Sequence, residues 1–164
     1  MTKPLLFVDI DGVLNPYSGP CPEGYEEHAL FPEDDEPVRL CPEHGAWLHE
    51  LAAAFDLMWG SSWTAEDRAL LGTVLDLPPF LGAVTLPTSQ FDPAQEVPAV
   101  ELAAAGRPLA WIDDLLAPEA WSWAASRPAP TLLIPIDPAI GLTRQHVRQL
   151  LRWATDGGLM PRTR

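Results

Sequence analysis

An apolar segment near the amino terminus runs directly into two aspartates and a glycine. Leu5–Val8 contains no polar residue, which is typical of a strand buried on both faces of a parallel sheet. Gly12 lets the chain turn away sharply, because glycine adopts backbone conformations that other residues avoid. Asp9 and Asp11 lie on the same side of an extended chain, so both carboxylates face one pocket at the carboxyl end of the strand, where α/β sheets bind ligands.

Two carboxylates that face one pocket repel each other unless a cation or a shared proton lies between them. One carboxylate is then suited to act as a nucleophile and metal ligand, while the other transfers protons. The alternative is a pair of acidic residues in an ordinary solvated turn. The apolar strand that precedes the pair favours a functional site over this alternative.

Length and charge restrict the class of protein. With 164 residues, of which 47% are hydrophobic and 20% charged, the chain is expected to form a single domain over residues 1–164. Its net charge of −13 argues against nucleic acid as the main partner. No segment has the apolar length of a membrane span and none resembles a signal peptide, so we expect a cytoplasmic protein with no membrane partner.

Predicted strands and helices alternate along the chain, which indicates an α/β fold with a doubly wound parallel sheet and helices on both faces. Residues 16–37 are rich in proline, glycine and acidic residues, and we expect them to form a flap over the pocket instead of a separate cap domain. After the first strand, the predicted strands are Tyr25–Leu30, Val38–Leu40, Asp56–Gly60, Ala83–Leu86, Leu109–Ile112 and Thr131–Ile136. The predicted helices are 42–54, 64–75 with Thr64 as the N-cap, 95–105, 118–126 and 143–154 with Thr143 as the N-cap.

Serines follow the second long predicted strand of the sheet. Ser61 and Ser62 lie between this strand and the next predicted helix, where a turn offers backbone N–H groups to an anion. The alternative is that these serines only cap the helix or stabilise the turn.

Two adjacent aspartates, Asp113 and Asp114, follow the predicted strand Leu109–Ile112. Because the carboxyl ends of parallel strands meet at one edge of a sheet, we expect them to lie near Asp9. Mg²⁺ prefers a few carboxylates together with water and phosphate oxygens. The alternative is that both aspartates only cap the helix that begins at Pro118.

Three segments resemble motifs of the haloacid dehalogenase (HAD) superfamily. The first motif is similar to Asp9-x-Asp11-Gly12-Val13-Leu14-Asn15, the second to Trp59-Gly60-Ser61-Ser62-Trp63, and the fourth to Trp111-Ile112-Asp113-Asp114. Members are mostly Mg²⁺-dependent phosphohydrolases that use an aspartyl-phosphate intermediate. The resemblance extends over residues 4–154, and within the superfamily the chain is similar to small HAD-like proteins with a Rossmann-like fold and a minimal cap or none.

The resemblance implies a role for each of these residues. Asp9 is the nucleophile, and Asp11 protonates the leaving group and later deprotonates water. The implied phosphate-binding residues are Gly12, Ser61 and Ser62. The implied Mg²⁺ ligands are Asp9, Asp11 through its backbone carbonyl, Asp113 and Asp114.

One part of the HAD pattern is missing from the sequence. The third motif supplies a lysine, or sometimes an arginine, that should lie near residues 95–98, where this chain has no cation. Lys3, the single lysine, lies at the opposite end of the first strand. We expect Arg68 to bind the phosphate in its place, whereas Arg107 precedes its strand and should lie at the wrong edge of the sheet.

Two hypotheses for function remain. The first is a Mg²⁺-dependent phosphatase that acts on an unassigned phosphorylated small molecule or macromolecule. The second is a catalytically weak HAD-like module that binds metal and phosphate or has a regulatory role, which the missing lysine favours. An accessory role in nucleic-acid repair is a further alternative that the negative charge disfavours, and a homodimer is left open.

Two cysteines and two histidines are candidates for a separate zinc site. Cys41-x-x-His44 has a spacing seen in zinc sites, and Cys21 and His28 would complete four ligands. The alternative is a pair of free thiols, as is usual for isolated cysteines in a cytoplasmic protein.

Overall fold

The computed structural model describes residues 2–84 and 92–156. The strands are β1 (Leu5–Val8), β2 (Glu26–His28), β3 (Val38–Leu40), β4 (Asp56–Trp59), β5 (Gly82–Ala83), β6 (Leu109–Asp113) and β7 (Thr131–Pro135). The helices are α1 (Glu43–Ala54), α2 (Ala65–Leu75), α3 (Glu96–Ala104), α4 (Pro118–Ser126) and α5 (Arg144–Asp156). Within these residues, no helix combines the length and the apolar character needed to cross a membrane.

A five-stranded parallel sheet with the order β5-β4-β1-β6-β7 forms the centre of the fold. Alternate β1 side chains point to opposite faces, so Leu6 packs in a core with residues of α1, α2 and α5, and Phe7 in a core with residues of α3 and α4. Both residues are fully buried. The predicted doubly wound α/β fold is therefore confirmed.

The chain reverses its direction of winding at β1. It continues from β1 to β4 on one side and reaches β6 on the other side, with Leu5 paired to both Asp56 and Leu109. In open α/β sheets the crevice at such a switch point is the usual place for a ligand. The residues that follow β1 and β6 therefore lie where the fold binds ligands.

Residues 16–37, which we call the flap segment, leave the sheet after β1 and include β2, which pairs antiparallel with β3. The strand predicted at Tyr25–Leu30 is shorter than expected. Tyr25 ends a turn, in which its N–H donates to the Pro22 carbonyl at 3.2 Å, so it does not join the ladder. A two-stranded ribbon is thus the largest regular structure of the flap among the described residues.

The other predicted elements agree with the structure to within one or two residues. Thr64 is the N-cap of α2, and its hydroxyl accepts a hydrogen bond from the Asp67 N–H at 3.1 Å. The start predicted at Gln95 for α3 falls in a 3₁₀ turn, Pro93–Gln95, that precedes the helix. Of the strand predicted at Ala83–Leu86, only Ala83 is in β5, and the last two residues lie outside the described residues.

Replacing Gly45 with Ala is expected to destabilise the fold by about 2 kcal/mol. A β-carbon at this position would overlap the carbonyl oxygen of Leu75, where α1 contacts the end of α2. Gly72→Ala is the matched control, because a β-carbon there meets nothing within 4 Å and Ala favours a helix interior. Urea unfolding should show a loss for the first variant and a gain of about 0.5–1 kcal/mol for the second. Similar stability in both variants would contradict the packing described.

Candidate active site

Three carboxylates converge at the carboxyl ends of β1 and β6. One oxygen each from Asp9, Asp113 and Asp114 can be chosen so that all lie within 4.8 Å of one another. The parallel register sets Val8 opposite Ile112, so the residues that follow them in the sequence meet at the same edge. This placement agrees with the prediction from the strand pattern.

The electrostatic environment disfavours a full negative charge on these groups. Burial, followed by the carboxylate of Asp113, raises the pKa of Asp9 well above its ordinary value, and burial is also the main cause that raises the pKa of Asp113. Asp113 is only 2% exposed, and its Oδ2 has no hydrogen-bond partner. Carboxylate oxygens are hard ligands, and one of them here is buried without a hydrogen-bond partner. Such a group is suited to bind a divalent cation.

Asp11 is held by two side-chain donors and is not a member of this group. Its Oδ1 accepts a hydrogen bond from Asn15 Nδ2 at 3.0 Å, and its Oδ2 accepts one from Trp63 Nε1 at 2.9 Å. The carboxylate lines a cleft that is also lined by Tyr17, the hydrogen-bond partner of Asp114. The Asp11 side chain is therefore placed for chemistry on a molecule in the cleft.

Gly12 provides the close approach that brings Asp114 to the site. Its φ of +82° favours glycine, and a β-carbon at this position would overlap the Asp114 carboxyl group. On the other side, the hydroxyl of Tyr17 donates to Asp114 Oδ2 at 2.6 Å. Tyr17 belongs to the flap segment and was not found from the sequence, because 97 residues separate the two partners.

The two predicted serines lie at the end of β4. Ser61 is buried, and its Oγ accepts a hydrogen bond from the Trp63 N–H at 3.2 Å. Ser62 lines the cleft together with Asp11. The turn is fixed to the centre of the sheet, since the Gly60 N–H donates to the carbonyl of Val8 at 2.8 Å.

The structure does not bring Arg68 to the carboxylates. Its Nη1 donates to the Trp63 carbonyl at 2.6 Å, and the residue lines a separate cavity of about 390 Å³ together with Trp59 and Phe80. The expectation that Arg68 replaces the missing lysine is therefore not supported. As expected, Arg107 lies at the opposite edge of the sheet, where it pairs with Asp56 at 2.6 Å.

Glu96 occupies the segment where a cation was expected. It is the first residue of α3, is 8% exposed, and contacts Asp113 through its carboxyl group. Burial and the carboxylate of Asp113 raise its pKa. The HAD pattern predicts only a basic residue in this segment, so there was no reason to expect an acid here that reaches the site.

The cleft in front of Asp11 has a volume of about 1290 Å³. The flap segment supplies one wall, and the turn after β4 and the start of α2 supply the other. Its lining includes aromatic, acidic and polar residues of both walls, among them Tyr17, Phe31, Glu33, Asp34, Asp35, Glu36, Arg39, Ser62, Trp63 and Asp67.

The proposed zinc ligands are not gathered in one place. Among residues 2–84 and 92–156, the aspartate group is the only one with metal-binding geometry. His44 is buried and bonded through Nε2 to the Leu142 carbonyl at 2.9 Å, while His28 lies on β2 near Glu26. Cys21 and Cys41 are free thiols, in agreement with the alternative interpretation.

Glu96→Gln is expected to stabilise the metal-free protein at pH 8 and to change little at pH 5. Because the fold raises the pKa of this carboxyl group, the wild-type protein loses stability as the pH rises above the ordinary pKa of a glutamate. The amide of the variant does not ionise, so the variant does not lose this stability. The gain at pH 8 should be about 1–3 kcal/mol, measured by thermal unfolding in chelator. Glu23→Gln, at an exposed loop residue, is the control. Equal stabilities at pH 8, or a gain that persists at pH 5, would contradict this account of the site.

Comparison with known proteins gives a consistent picture. No curated protein matches the sequence. Among solved structures, the fold is similar to the HAD domain of the effector protein Lem4 from Legionella pneumophila, with a TM-score of 0.59, 14% identity, and coverage of 92% of this chain and 94% of that chain. An inactive mutant of the same domain has a TM-score of 0.61, 13% identity, and coverage of 98% and 100%. At these identities the likeness shows the fold alone.

The family match is more extensive. The family described as "HAD domain in Swiss Army Knife RNA repair proteins" matches residues 5–147, which include every motif residue described above. The chain therefore belongs to this family of HAD domains.

Proposed function

We propose that the protein is a Mg²⁺-dependent phosphohydrolase that forms an aspartyl-phosphate on Asp9. The observation that carries this proposal is the meeting of three carboxylates at the switch point of the sheet, with Asp11 beside them on the cleft. A site of this composition is suited to phosphoryl transfer, in which positioning and charge stabilisation do most of the catalysis. We also propose that the chain acts as one domain and that its flap segment covers the cleft.

The metal ligands would be Asp9, Asp113 and Asp114, with the backbone carbonyl of Asp11 as a further oxygen donor. When bound, Mg²⁺ would neutralise charge on the nucleophile and on the phosphoryl oxygens, which otherwise repel each other. The burial of Asp113 next to Asp9 and Asp114 supports this assignment, since three carboxyl groups that meet at one point offer oxygen ligands of the kind that Mg²⁺ prefers.

In the first step a carboxylate oxygen of Asp9 attacks phosphorus and the bond to the ester oxygen breaks. The N–H of Ile10 donates to Asp9 Oδ1 at 2.7 Å and so orients the nucleophile. Asp11 donates a proton to the departing ester oxygen, which leaves as an alcohol. The hydrogen bonds from Asn15 and Trp63 hold the Asp11 carboxyl group in the orientation that this transfer needs.

In the second step water attacks phosphorus and the bond to the Asp9 oxygen breaks, which releases inorganic phosphate and restores the carboxylate. Asp11, now without its proton, accepts one from the attacking water. Ser61 and Ser62 would hold the remaining phosphoryl oxygens during both steps, and their position after β4 supports this role. The phosphate-binding role expected of Gly12 is not supported, because its N–H donates to the Asn15 carbonyl at 2.8 Å.

A specific observation favours a second candidate, a catalytically weak module that binds metal and phosphate. Among the described residues, no lysine or arginine forms a hydrogen bond or an ion pair with any of the site carboxylates. Glu96 adds a further buried carboxyl group at the same place, with a raised pKa, and supplies no positive charge. Removing one such stabilising group from an active site typically costs about 10²–10³ in rate. Slow turnover with intact metal binding would favour this candidate.

The name of the family connects such HAD domains with RNA repair proteins. A phosphorylated nucleic-acid end is therefore one substrate to test, although a chain with a net charge of −13 repels polyanions.

Asp9→Asn is expected to abolish Mg²⁺-dependent release of phosphate from 4-nitrophenyl phosphate, because the amide cannot form the acyl-phosphate. The rate should fall at least about 10³-fold, as when a nucleophile is removed from other enzymes. Chelation of Mg²⁺ should stop the wild-type reaction. Asp76→Asn, at the far end of α2, is the matched Asp-to-Asn control and should retain the wild-type rate. If no phosphoester of a broad panel shows Asp9-dependent turnover although Mg²⁺ binds, the proposed phosphohydrolase function is wrong.

Gly12→Ala is expected to weaken Mg²⁺ or Mn²⁺ binding at least about tenfold, since its β-carbon would displace the Asp114 carboxylate by more than the site tolerates. Gly24→Ala is a matched control: its φ of +86° imposes the same backbone strain, but a β-carbon there meets nothing within 4 Å. Isothermal titration calorimetry measures the affinity, and unfolding measures the shared strain. Equal affinities in the two folded variants would contradict a metal role for Asp114.

A further inference from the structure

The cleft is larger than a phosphate group requires. Its volume of about 1290 Å³ exceeds the roughly 300–1,000 Å³ of most small-molecule pockets. It extends outward from Asp11, the residue placed to protonate the leaving group. The walls of the cleft are therefore the part of the protein that meets the body of the substrate.

Aromatic side chains line the part of the cleft nearest to Asp11. Trp63 donates to Asp11, and Phe31 of the flap segment lies edge-on to the Trp63 ring with the centroids 5.3 Å apart. Tyr17 lines the same wall as Phe31. Aromatic faces of this kind stack against apolar groups and attract cations such as guanidinium or ammonium.

Beyond the aromatic residues the cleft is strongly acidic. Four consecutive acids of the flap, Glu33–Glu36, line it, and Asp67 of α2 lines the opposite wall. Arg39 is the one cation among the described lining residues. Its Nη1 donates to the carbonyl of Gly19 at 2.9 Å, and its Nε lies 3.9 Å from Glu27, so its guanidinium is bonded within the flap and the acids of the lining outnumber it.

We propose that the cleft selects a phosphorylated side chain within a lysine- or arginine-rich peptide segment and discriminates against phosphorylated ends of nucleic acids. This inference rests on the phosphohydrolase proposed above. Positive side chains that flank the phosphate would lie against the acids of the flap and the aromatic rings, whereas further phosphates would be repelled from the same wall. The volume of the cleft, about 1290 Å³, favours a peptide over a small amine-bearing phosphoester.

The test measures binding, so that it does not depend on turnover. Fluorescence anisotropy in Mg²⁺ with Asp9→Asn protein compares a phosphoserine peptide flanked by arginines with one flanked by glutamates. The arginine-flanked peptide without phosphate, a 5′-phosphorylated oligoribonucleotide and phosphoethanolamine complete the panel. We expect the arginine-flanked phosphopeptide to bind most tightly and at least about tenfold more tightly than the glutamate-flanked one, an advantage that decreases with salt.

Two double variants of the same background locate the effect. Asp34→Asn with Asp35→Asn removes two charges from the flap and should weaken binding of the arginine-flanked phosphopeptide about fivefold. Asp76→Asn with Asp156→Asn removes two charges at the ends of α2 and α5, outside the cleft lining, and should leave it unchanged. Equal losses in both variants would overturn the proposal, since overall charge would then explain the binding.

Other outcomes separate this inference from the proposed function. Tighter binding of the oligoribonucleotide or phosphoethanolamine, or equal binding of the peptide without phosphate, would overturn the selectivity. If the wild-type protein shows no turnover but keeps the binding preference, the proposed phosphohydrolase function is overturned and the proposed selectivity is supported. Turnover of all phosphoesters without preference would overturn the selectivity alone.

Discussion

Repulsion among carboxylates at the end of β1 is the constraint on which the rest of the site depends. Asp9, Asp113 and Asp114 are held together by parallel strands whose own packing is apolar and buried. Burial, and after it the neighbouring carboxylates, disfavours the ionised forms of Asp9 and Asp113 and raises their pKa values. The stability of the central strands holds this unfavourable group in place, as is common at functional sites.

Hydrogen bonds connect the residues that follow β1 to the flap segment, which forms one wall of the cleft. Asn15 donates to Asp11 through Nδ2 at 3.0 Å and accepts through Oδ1 from the Arg39 N–H at 2.8 Å. Arg39 in turn holds the loop at Gly19. These bonds join Asp11, at the base of the cleft, to the flap segment at Gly19, so the flap is anchored to the residue proposed for proton transfer.

The sequence predicts the part of the site that follows from strand geometry. Asp9, Asp113 and Ser61 each follow an apolar strand, and parallel pairing alone brings such positions to one edge. The positions of the Tyr17 and Arg68 side chains have other causes. The path of the flap brings Tyr17 to Asp114, and the Trp63 carbonyl draws the Arg68 side chain away from the cleft. Contacts that depend on a loop path or a single rotamer leave no periodic signal in a sequence.

Glu96 shows a different limit. The start of α3 was predicted to within a residue, and the resemblance implied a cation in this segment, where the sequence has none. The site thus has an additional buried carboxyl group, with a raised pKa, where the resemblance implied a cation. Membership of the family accounts for the fold and does not by itself predict this group.

A crystal structure with Mg²⁺ and beryllium fluoride, a mimic of an acyl-phosphate, tests the central claim most directly. We expect Mg²⁺ in contact with Asp9, Asp113 or Asp114, and the fluoroberyllate on a carboxylate oxygen of Asp9, with Asp11 facing its open side. A metal bound away from these carboxylates, or a fluoroberyllate absent from Asp9 at saturating concentration with the metal in place, would contradict it.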